Sequence, residues 1–184
     1  MPTTPLKTRD GTNVEVRPLS TGDGPALQQF NAALTDASRG LFLPHAYDDT
    51  TIAEIIARSE AGTDHTCIAL VGERIIGYGF LWDIQDPVPV LGIGLADAWQ
   101  GQGLGKGFMD LLIHAAKTAG AAGIELTTTL ENERAFALYK KMDFKHIGDT
   151  DNIAGDGRTV RERVLFLTLI PGAKPPTRDF APPV

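Results

Sequence analysis

Apolar residues recur along the chain at two spacings, one typical of β-strands and the other of amphipathic helices. The strand-like runs are short and rich in β-branched or aromatic residues: NVEVRPL, HTCIALV, RIIGYGFLW, PVPVLGIGLA, GIELTTTL, FKHIGDT and TVRERVLFLTL. The helix-like runs are TGDGPALQQFNAAL, DDTTIAEIIARS, the segment from Leu104 to Ala119, and NERAFALYKKM. Their order along the chain predicts an α/β (α+β) fold, with a mixed sheet of about seven strands and helices on both faces.

The segment from Leu104 to Ala119 carries the clearest helical period. Its predicted apolar face holds Leu104, Phe108, Leu111, Leu112, Ala115 and Ala119, and its polar face holds Lys106, Asp110, His114 and Lys117. Near the C-terminus, the loop AGDGR separates the last two strand runs, which predicts a hairpin there.

Length and composition indicate one soluble domain. The chain has 184 residues, of which 42% are hydrophobic. We expect a flexible polar head over residues 1–12, a single domain over 13–170 and an extended Pro-rich tail over 171–184. No apolar run approaches the roughly 20 residues of a membrane helix, and the N-terminus lacks a signal-peptide core. A cytoplasmic protein that binds no membrane is therefore expected.

Charge and cysteine content narrow the function classes. The formal net charge is −6, and no basic cluster typical of nucleic-acid binding is evident. The acidity fits a cationic or neutral small partner, or serves solubility alone. Cys67 is the only cysteine, so an intramolecular disulfide and a cysteine-based metal cluster are excluded, and no metal site is expected.

The segment LADAWQGQGLGKGF, from Leu95 to Phe108, places four glycines directly before the amphipathic helix. Glycine costs about 1 kcal/mol relative to alanine inside a helix, so the cluster needs a reason. A helix N-terminus presents backbone N–H groups without intrahelical partners and a partial positive charge. Glycines allow a bulky anion such as pyrophosphate to approach those amides, so the segment predicts an anion site.

Three glycine motifs use this chemistry, and one of them fits. A Walker A loop fails because Gly107, rather than Ser or Thr, follows Lys106. The dinucleotide fingerprint fails because Lys106 or Phe108 occupies the position of its third glycine. The pattern Gln/Arg-x-x-Gly-x-Gly/Ala is met in full by Gln100, Gly103 and Gly105.

At this motif the sequence resembles the GNAT family of acyl-CoA-dependent N-acyltransferases. The downstream segment ENERAFALYKKMDF, Glu131 to Phe144, is similar to the family's second acyl-CoA motif, and the order of elements matches over about residues 13–170. One departure is Asp143, where the family usually has glycine before the phenylalanine. Aspartate tolerates a left-handed conformation better than most residues, so we expect the turn to be kept.

The resemblance implies a site for acetyl-CoA as cosubstrate. The strand bearing Ile93 and Leu95 runs beside the pantetheine arm, and the Leu95 N–H polarises the thioester carbonyl. A bulge at Gly92 and Gly94 would splay this strand from GIELTTTL and open the slot. The backbone amides of the glycine segment hold the pyrophosphate: Gln100, Gly101, Gln102, Gly103, Leu104, Gly105 and Lys106. The Lys106 side chain either adds charge there or remains solvated.

The second motif supplies two side chains. Asn132 suits the pantetheine amides, and Tyr139 suits the sulfur, where a phenol can protonate the leaving thiolate. The reaction implied is direct attack by a neutral primary amine, with no covalent enzyme intermediate. Cys67 lies in an apolar strand run and is interpreted as core rather than nucleophile.

The acceptor side is the part that the sequence defines least. The run PVPVLGIGL has no carboxylate, so the nearest candidates are Asp83 and Asp86 in the loop WDIQDP, which follows the preceding strand. Of the two, Asp83 is predicted as base or ammonium anchor, with a surface-turn aspartate as its alternative. A small-molecule or peptide amine is the expected acceptor, and a homodimer is an open possibility. The main competing function is a catalytically degenerate acyl-CoA sensor or interaction domain. A nucleotide-binding module is a third alternative, which the absence of a Walker A loop and of a dinucleotide fingerprint disfavours.

Overall fold

The computed structural model describes residues 3–176. Eight strands form one sheet: β1 (Thr4–Lys7), β2 (Asn13–Pro18), β3 (His65–Val71), β4 (Arg74–Trp82), β5 (Val90–Leu95), β6 (Gly123–Thr129), β7 (Lys145–Ile153) and β8 (Thr159–Thr168). Five helices accompany them: α1 (Gly24–Ala32), α2 (Asp36–Leu41), α3 (Asp49–Glu60), α4 (Leu104–Thr118) and α5 (Glu133–Lys141). A 3₁₀ turn at Asp97–Trp99 precedes α4.

The sheet is antiparallel except at its centre. Its spatial order is β1-β2-β3-β4-β5-β6-β8-β7. The parallel pair β5–β6 is joined only at Val90 and Glu125, after which the two strands separate. The mixed sheet, the helices on both faces and the splayed central pair are therefore as the sequence predicts.

The strand count exceeds the expected seven because the N-terminal head contributes one. Residues Thr4–Lys7, expected to be flexible, pair with β2 in an antiparallel register. A Cβ at Gly107 would lie 3.3 Å from the Leu6 side chain, so the head also contacts the first turn of α4. Residues 171–176 contain no helix or strand, and the rest of the predicted tail, 177–184, lies outside the described residues.

Two apolar clusters lie on opposite faces of the sheet. One joins α4 and α5 to the sheet and includes Phe108, Leu112 and Tyr139. The other joins α1 and α3 to the sheet and includes Phe30, Ile55, Tyr78 and Phe80. In α4 the buried positions are Leu104, Phe108, Met109, Leu112 and Ala116, so the apolar face is centred slightly differently from the predicted one, and Ala119 is exposed.

The glycines of β5 have a different function from the predicted bulge. Strand β5 pairs with β4 without a register shift. A Cβ at Gly92 would lie 2.1 Å from the ring of Phe80, and one at Gly94 would lie 2.3 Å from the ring of Phe42. The two glycines therefore give space to aromatic rings, and the splay arises where β5 leaves β6. The sheet's bulge lies elsewhere, where the β3–β4 register shifts between Ala69 and Leu70.

Other local predictions agree with the structure. The loop AGDGR joins β7 to β8 as a hairpin. Asp143 has a φ of 67°, so aspartate does adopt the left-handed conformation that the family turn requires. Within residues 3–176, no helix has the length and apolar character needed to cross a membrane.

Candidate active site

A cavity of about 710 Å³ occupies the opening between β5 and β6. Its walls come from the glycine segment, α5, the α2–α3 connection and the β7–β8 hairpin. The predicted site residues that line it are Asp83, Ile93, Leu95, Gln100, Gly101, Gly103, Gly105, Lys106, Asn132 and Tyr139. Two predicted site residues do not line the cavity. Leu104 is buried beneath the glycine segment, and the Gln102 side-chain amide donates to the Ala98 carbonyl at 3.0 Å.

The backbone of β5 presents polar groups to the cavity. The Ala96 N–H donates to the Ile76 carbonyl of β4 at 2.9 Å. Because backbone groups alternate in direction along an antiparallel pair, those of Leu95 and Ile93 point away from β4, toward the opening. The side-chain amide of Gln100 donates to the Leu95 carbonyl at 2.9 Å. The Leu95 N–H is therefore a fixed donor that faces the cavity, at the position predicted for polarising a thioester carbonyl.

The glycine segment presents unpartnered backbone N–H groups at the start of α4. Gly101 has a φ of 75° and Gly103 a φ of 88°, and a Cβ at either would have nothing within 4 Å. Glycine is thus required by the backbone conformation, and the space beside it is open. The N–H groups from Gly101 to Lys106 donate to no acceptor within residues 3–176. Such unpartnered amides at a helix N-terminus suit phosphate oxygens.

Four cations line the cavity: Arg9, Lys106, Arg134 and Lys141. The Arg9 N–H donates to the Gln102 carbonyl at 2.9 Å, which fixes the head against the glycine segment. Arg134 bonds the Gln100 side chain and shares a helix face with Lys141. Lys106 lines the cavity but pairs with Asp110 at 2.8 Å, with both side chains exposed. The family resemblance implies Lys106 as a candidate contact of the pyrophosphate, and Arg134, Lys140 and Lys141 either as contacts of the adenosine 3′-phosphate or as solvated side chains. Arg9 falls in the segment expected to be flexible.

Asn132 and Tyr139 of α5 both reach the cavity, at different depths. Asn132 is the N-cap of α5, and its Oδ1 accepts from the Ala135 N–H at 3.2 Å, which leaves its amide nitrogen for a ligand. Tyr139 is buried, and its hydroxyl forms no hydrogen bond within residues 3–176. Burial, and secondarily the Glu162 carboxylate, raises the pKa of Tyr139 well above its ordinary value. The phenol is therefore protonated at neutral pH and can donate a proton.

Asp83 lines the cavity but is remote from the Leu95 amide. Leu95 pairs with Gly77, whereas Trp82, at the other end of β4, is five residues further on. At about 3.3 Å per residue this is roughly 17 Å, and Asp83 lies beyond it. Its carboxylate pairs with Arg58 at 2.7 Å. This geometry disfavours Asp83 as the base, because a base must reach the attacking amine within about one water molecule.

The sequence analysis did not single out Phe80, Asn152 or Glu162 on the side of the opening away from α4, whereas Phe42 falls in residues 34–45, where the family forms its acceptor lid. Phe42 and Phe80 form an apolar wall over β5, and Glu162 and Asn152 line the opposite wall from the β7–β8 hairpin. Gly92 and Gly94 were the feature of the sequence that could have indicated the two aromatic rings packed against β5. Glu162 gave no signal, because only the strand order places β8 beside β6.

The α2–α3 connection is attached on both sides of the opening. The Gly155 N–H of the hairpin loop donates to the Leu43 carbonyl at 2.8 Å. His45 is fully buried and lies 3.0 Å from the Tyr78 hydroxyl. Burial lowers the pKa of His45 to about 4, so the ring is neutral at physiological pH. His45 therefore acts as a structural hydrogen-bonding group.

The single cysteine is not placed for covalent catalysis. Cys67 is buried in β3, and burial raises the pKa of its thiol to about 12. The thiolate that nucleophilic attack requires is therefore scarce at neutral pH. Within residues 3–176, no group of three or more His, Cys, Asp or Glu side chains could hold a metal ion.

Comparison with known proteins agrees with this geometry. The model of the acetyltransferase (GNAT) family matches residues 27–144, which is more than half of the chain. The chain belongs to the GNAT family. The match includes both the glycine segment and the α5 motif, so the resemblance predicted from these residues is confirmed. Acyl transfer is the general activity that this family supports.

Solved structures share the fold of this GNAT protein at low sequence identity. The GNAT domain of S. lividans PAT is 17% identical with a TM-score of 0.75, and the match covers 91% of this chain and 97% of that domain's chain. A ribosomal-protein-S5-alanine acetyltransferase from Vibrio fischeri is 12% identical with a TM-score of 0.77, and the match covers 95% of this chain and 100% of that enzyme's chain. YncA of Salmonella typhimurium, solved with its cofactor acetyl-CoA, is 19% identical with a TM-score of 0.70, and the match covers 90% of this chain and 99% of the YncA chain. No curated protein matches the sequence.

Proposed function

We propose that this GNAT protein transfers an acetyl group from acetyl-CoA to a primary amine by direct attack. The observation that carries the proposal is the polarity of its single continuous cavity. Three of its cations, Arg9, Lys106 and Arg134, and the free amides of the glycine segment lie at one end, and the carboxylates of Asp83 and Glu162 lie among the other lining residues. A cosubstrate with phosphates at one end and a cationic amine approaching from the other would match this distribution.

The residues of the slot would divide the chemistry among them. The amides from Gln100 to Lys106, with the cations around them, hold the pyrophosphate. The Leu95 N–H donates to the thioester carbonyl and stabilises the negative charge that develops there, an effect typically worth about 3 kcal/mol. Tyr139 gives its proton to the departing sulfur. Holding amine and thioester in line supplies much of the remaining acceleration.

The titratable groups support an amine acceptor over a covalent route. The Cys67 thiol is buried outside the cavity lining, so acyl transfer through this cysteine has no geometric support. The amine must be neutral to attack, and a lysine-like amine has a pKa of about 10.4. An acidic group near the thioester would therefore be needed to hold and deprotonate it.

The test is thiol release from acetyl-CoA by the full-length protein, measured with a panel of amines, amino acids, antibiotics and lysine peptides. Longer acyl-CoAs belong in the panel because acyl length is not fixed by the motif. Calorimetry with CoA provides an independent binding measurement. Amine-dependent release above the hydrolysis rate supports the transferase. Tight CoA binding without release by any amine would instead favour the degenerate sensor, and absence of CoA binding would exclude both.

A further inference from the structure

Glu162 projects from β8 toward the face of the sheet opposite α4 and α5. Its neighbour Arg163 points to the α5 face, where its guanidinium lies 4.4 Å from the ring centre of Phe136. Because side chains alternate along a strand, Glu162 points to the other face. Glu162 is directly opposite Thr129 of β6 and Thr150 of β7. It therefore lies at the mouth of the opening, where β6 ends.

The Glu162 carboxylate is held by a neutral partner. The Asn152 side-chain amide donates to its Oε2 at 2.9 Å. Within residues 3–176, no Lys, Arg or His side chain pairs with Glu162, whereas Asp83 is paired with Arg58. Both carboxylates line the cavity, but among the described residues Asp83 has an ion-pair partner and Glu162 has none. Glu162 and Tyr139 both line this cavity.

The wall across the opening is apolar and lies on the same face of the sheet. Phe80 belongs to the apolar cluster with α1 and α3, and it stacks on Trp82 with ring centres 4.1 Å apart. Phe42 covers Gly94 from the α2–α3 connection. Leu43 and Pro44 continue this lining. A ligand entering from this side therefore meets a carboxylate on one wall and aromatic and aliphatic groups on the other.

We infer that Glu162 is the ammonium anchor and proton acceptor for a primary amine that carries an apolar group, with Asn152 positioning the carboxylate. This inference rests on the proposed transferase function. The carboxylate takes one proton from the ammonium and passes it to solvent. The neutral nitrogen forms a bond to the acyl carbon, and the carbon–sulfur bond breaks. Tyr139 protonates the sulfur and recovers a proton from the nitrogen, so the products are the amide, CoA thiol and one released proton.

The first experiment compares Glu162→Gln with wild type from pH 6 to pH 10 by thiol release. Glutamine keeps the size of the side chain and its bond to Asn152, so the fold should be retained. We expect kcat/KM to fall at least about tenfold at neutral pH and to recover toward the pKa of the amine, with unchanged acetyl-CoA affinity. The other titratable groups lining the cavity are Tyr139, Asp83 and the four cations, which the variant leaves in place. Glu133→Gln is the matched control, since Glu133 is exposed and pairs with Arg163.

Asn152→Ala and matched substrates sharpen the assignment. Asn152→Ala should lower kcat/KM by less than Glu162→Gln and should not abolish the pH dependence, because the carboxylate remains. Phenethylamine should be a better acceptor than ethanolamine by at least about tenfold, and Phe42→Ala should reduce that preference.

The outcomes separate the inference from the function on which it rests. A Glu162→Gln variant that equals wild type at every pH, while wild type turns over amines, would overturn the role of Glu162 and leave the transferase intact. Equal turnover of the two amines would overturn the apolar specificity. Wild type that releases no thiol with any amine would remove the transferase function itself. Should Glu162→Gln fail to fold, Glu162→Asp provides the same test, because retracting the carboxylate by one methylene should also lower kcat/KM at neutral pH.

Discussion

The two ends of the cavity are built in different ways. The end around α4 is formed mostly by backbone: free N–H groups, two glycines with positive φ, and the β5 amides of Ile93 and Leu95. The opposite end is formed by side chains from four separate segments: Phe42, Phe80, Asn152 and Glu162. Under the proposed function, the first end would bind groups common to every CoA thioester, whereas the second can change without altering the backbone. This difference explains how one fold can keep a cosubstrate while varying its acceptor.

The contrast between the two ends of the cavity predicts that a substitution at Gly103 has the largest effect on CoA affinity. Gly103→Glu should weaken CoA binding by more than about 100-fold, because a side chain at positive φ and a carboxylate would both enter the anion site. Isothermal calorimetry with CoA measures the loss.

Gly120→Glu is the matched control for this change. Gly120 has a φ of 85° and lies just beyond the other end of α4, with nothing within 4 Å of a Cβ. The backbone strain is therefore similar, but no phosphate would be near. Unchanged CoA affinity in a folded Gly103→Glu variant would exclude the glycine segment as the phosphate site.

Tyr139 lies where the two ends meet, and its loss should affect chemistry rather than binding. Tyr139→Phe should lower kcat by about 10- to 1000-fold, the range expected for removal of a general acid, with little change in acetyl-CoA affinity. The ring contact with Phe144 is retained, so stability should change little. Tyr47→Phe is the control, because the Tyr47 hydroxyl is also buried without a hydrogen-bond partner in the described residues but lies outside the cavity lining. An unaltered kcat, with chemistry shown to be rate-limiting, would assign Tyr139 to packing.

The same contrast decides what the sequence could predict. The cosubstrate end depends on contiguous residues, since Gln100 to Lys106 form one loop and Asn132 to Tyr139 one helix. Local backbone rules therefore sufficed for the glycine segment and for the left-handed turn at Asp143, whereas the splayed central pair followed from the family resemblance and not from a bulge at Gly92 and Gly94. The acceptor end depends on tertiary placement, because Glu162 reaches the slot only through the order β6-β8-β7. Ranking the candidate carboxylates by their distance along the sequence from β5 selected Asp83.

Gly92 and Gly94 show, within strand β5, where prediction from the sequence reaches its limit. Their presence predicted a local departure from regular pairing, and glycine can indeed mark a bulge. The structure uses them for rings contributed by Phe80 and Phe42, and the second ring comes from a helix connection 52 residues earlier in the chain. Only the packed structure distinguishes these two uses.

Arg9 offers a smaller test of the cosubstrate end. Arg9→Gln should weaken CoA binding by about three- to tenfold, because an exposed cation contributes modestly to phosphate binding and is screened by salt. The effect should shrink as ionic strength rises. Arg74→Gln is the control, since Arg74 is exposed in the β3–β4 hairpin, outside this cavity. Equal CoA affinities for wild type and Arg9→Gln at low salt would place Arg9 outside the phosphate site.

Asp83 is expected to give the smallest effect, and the result distinguishes the two carboxylates of the cavity. Asp83→Asn should leave kcat/KM within about twofold of wild type across pH 6 to 10, because Asp83 lies more than roughly 17 Å from the Leu95 amide and pairs with Arg58. Its side chain is 42% exposed, so loss of the pair should change the free energy of unfolding by only about 0–1 kcal/mol. Asparagine also tolerates the positive φ of 51° at this position. The measurement is thiol release with the best amine found, run beside Glu162→Gln. A tenfold loss at neutral pH that recovers toward the amine pKa would instead make Asp83 the base, and the proton would then leave by the β4 end of the cavity.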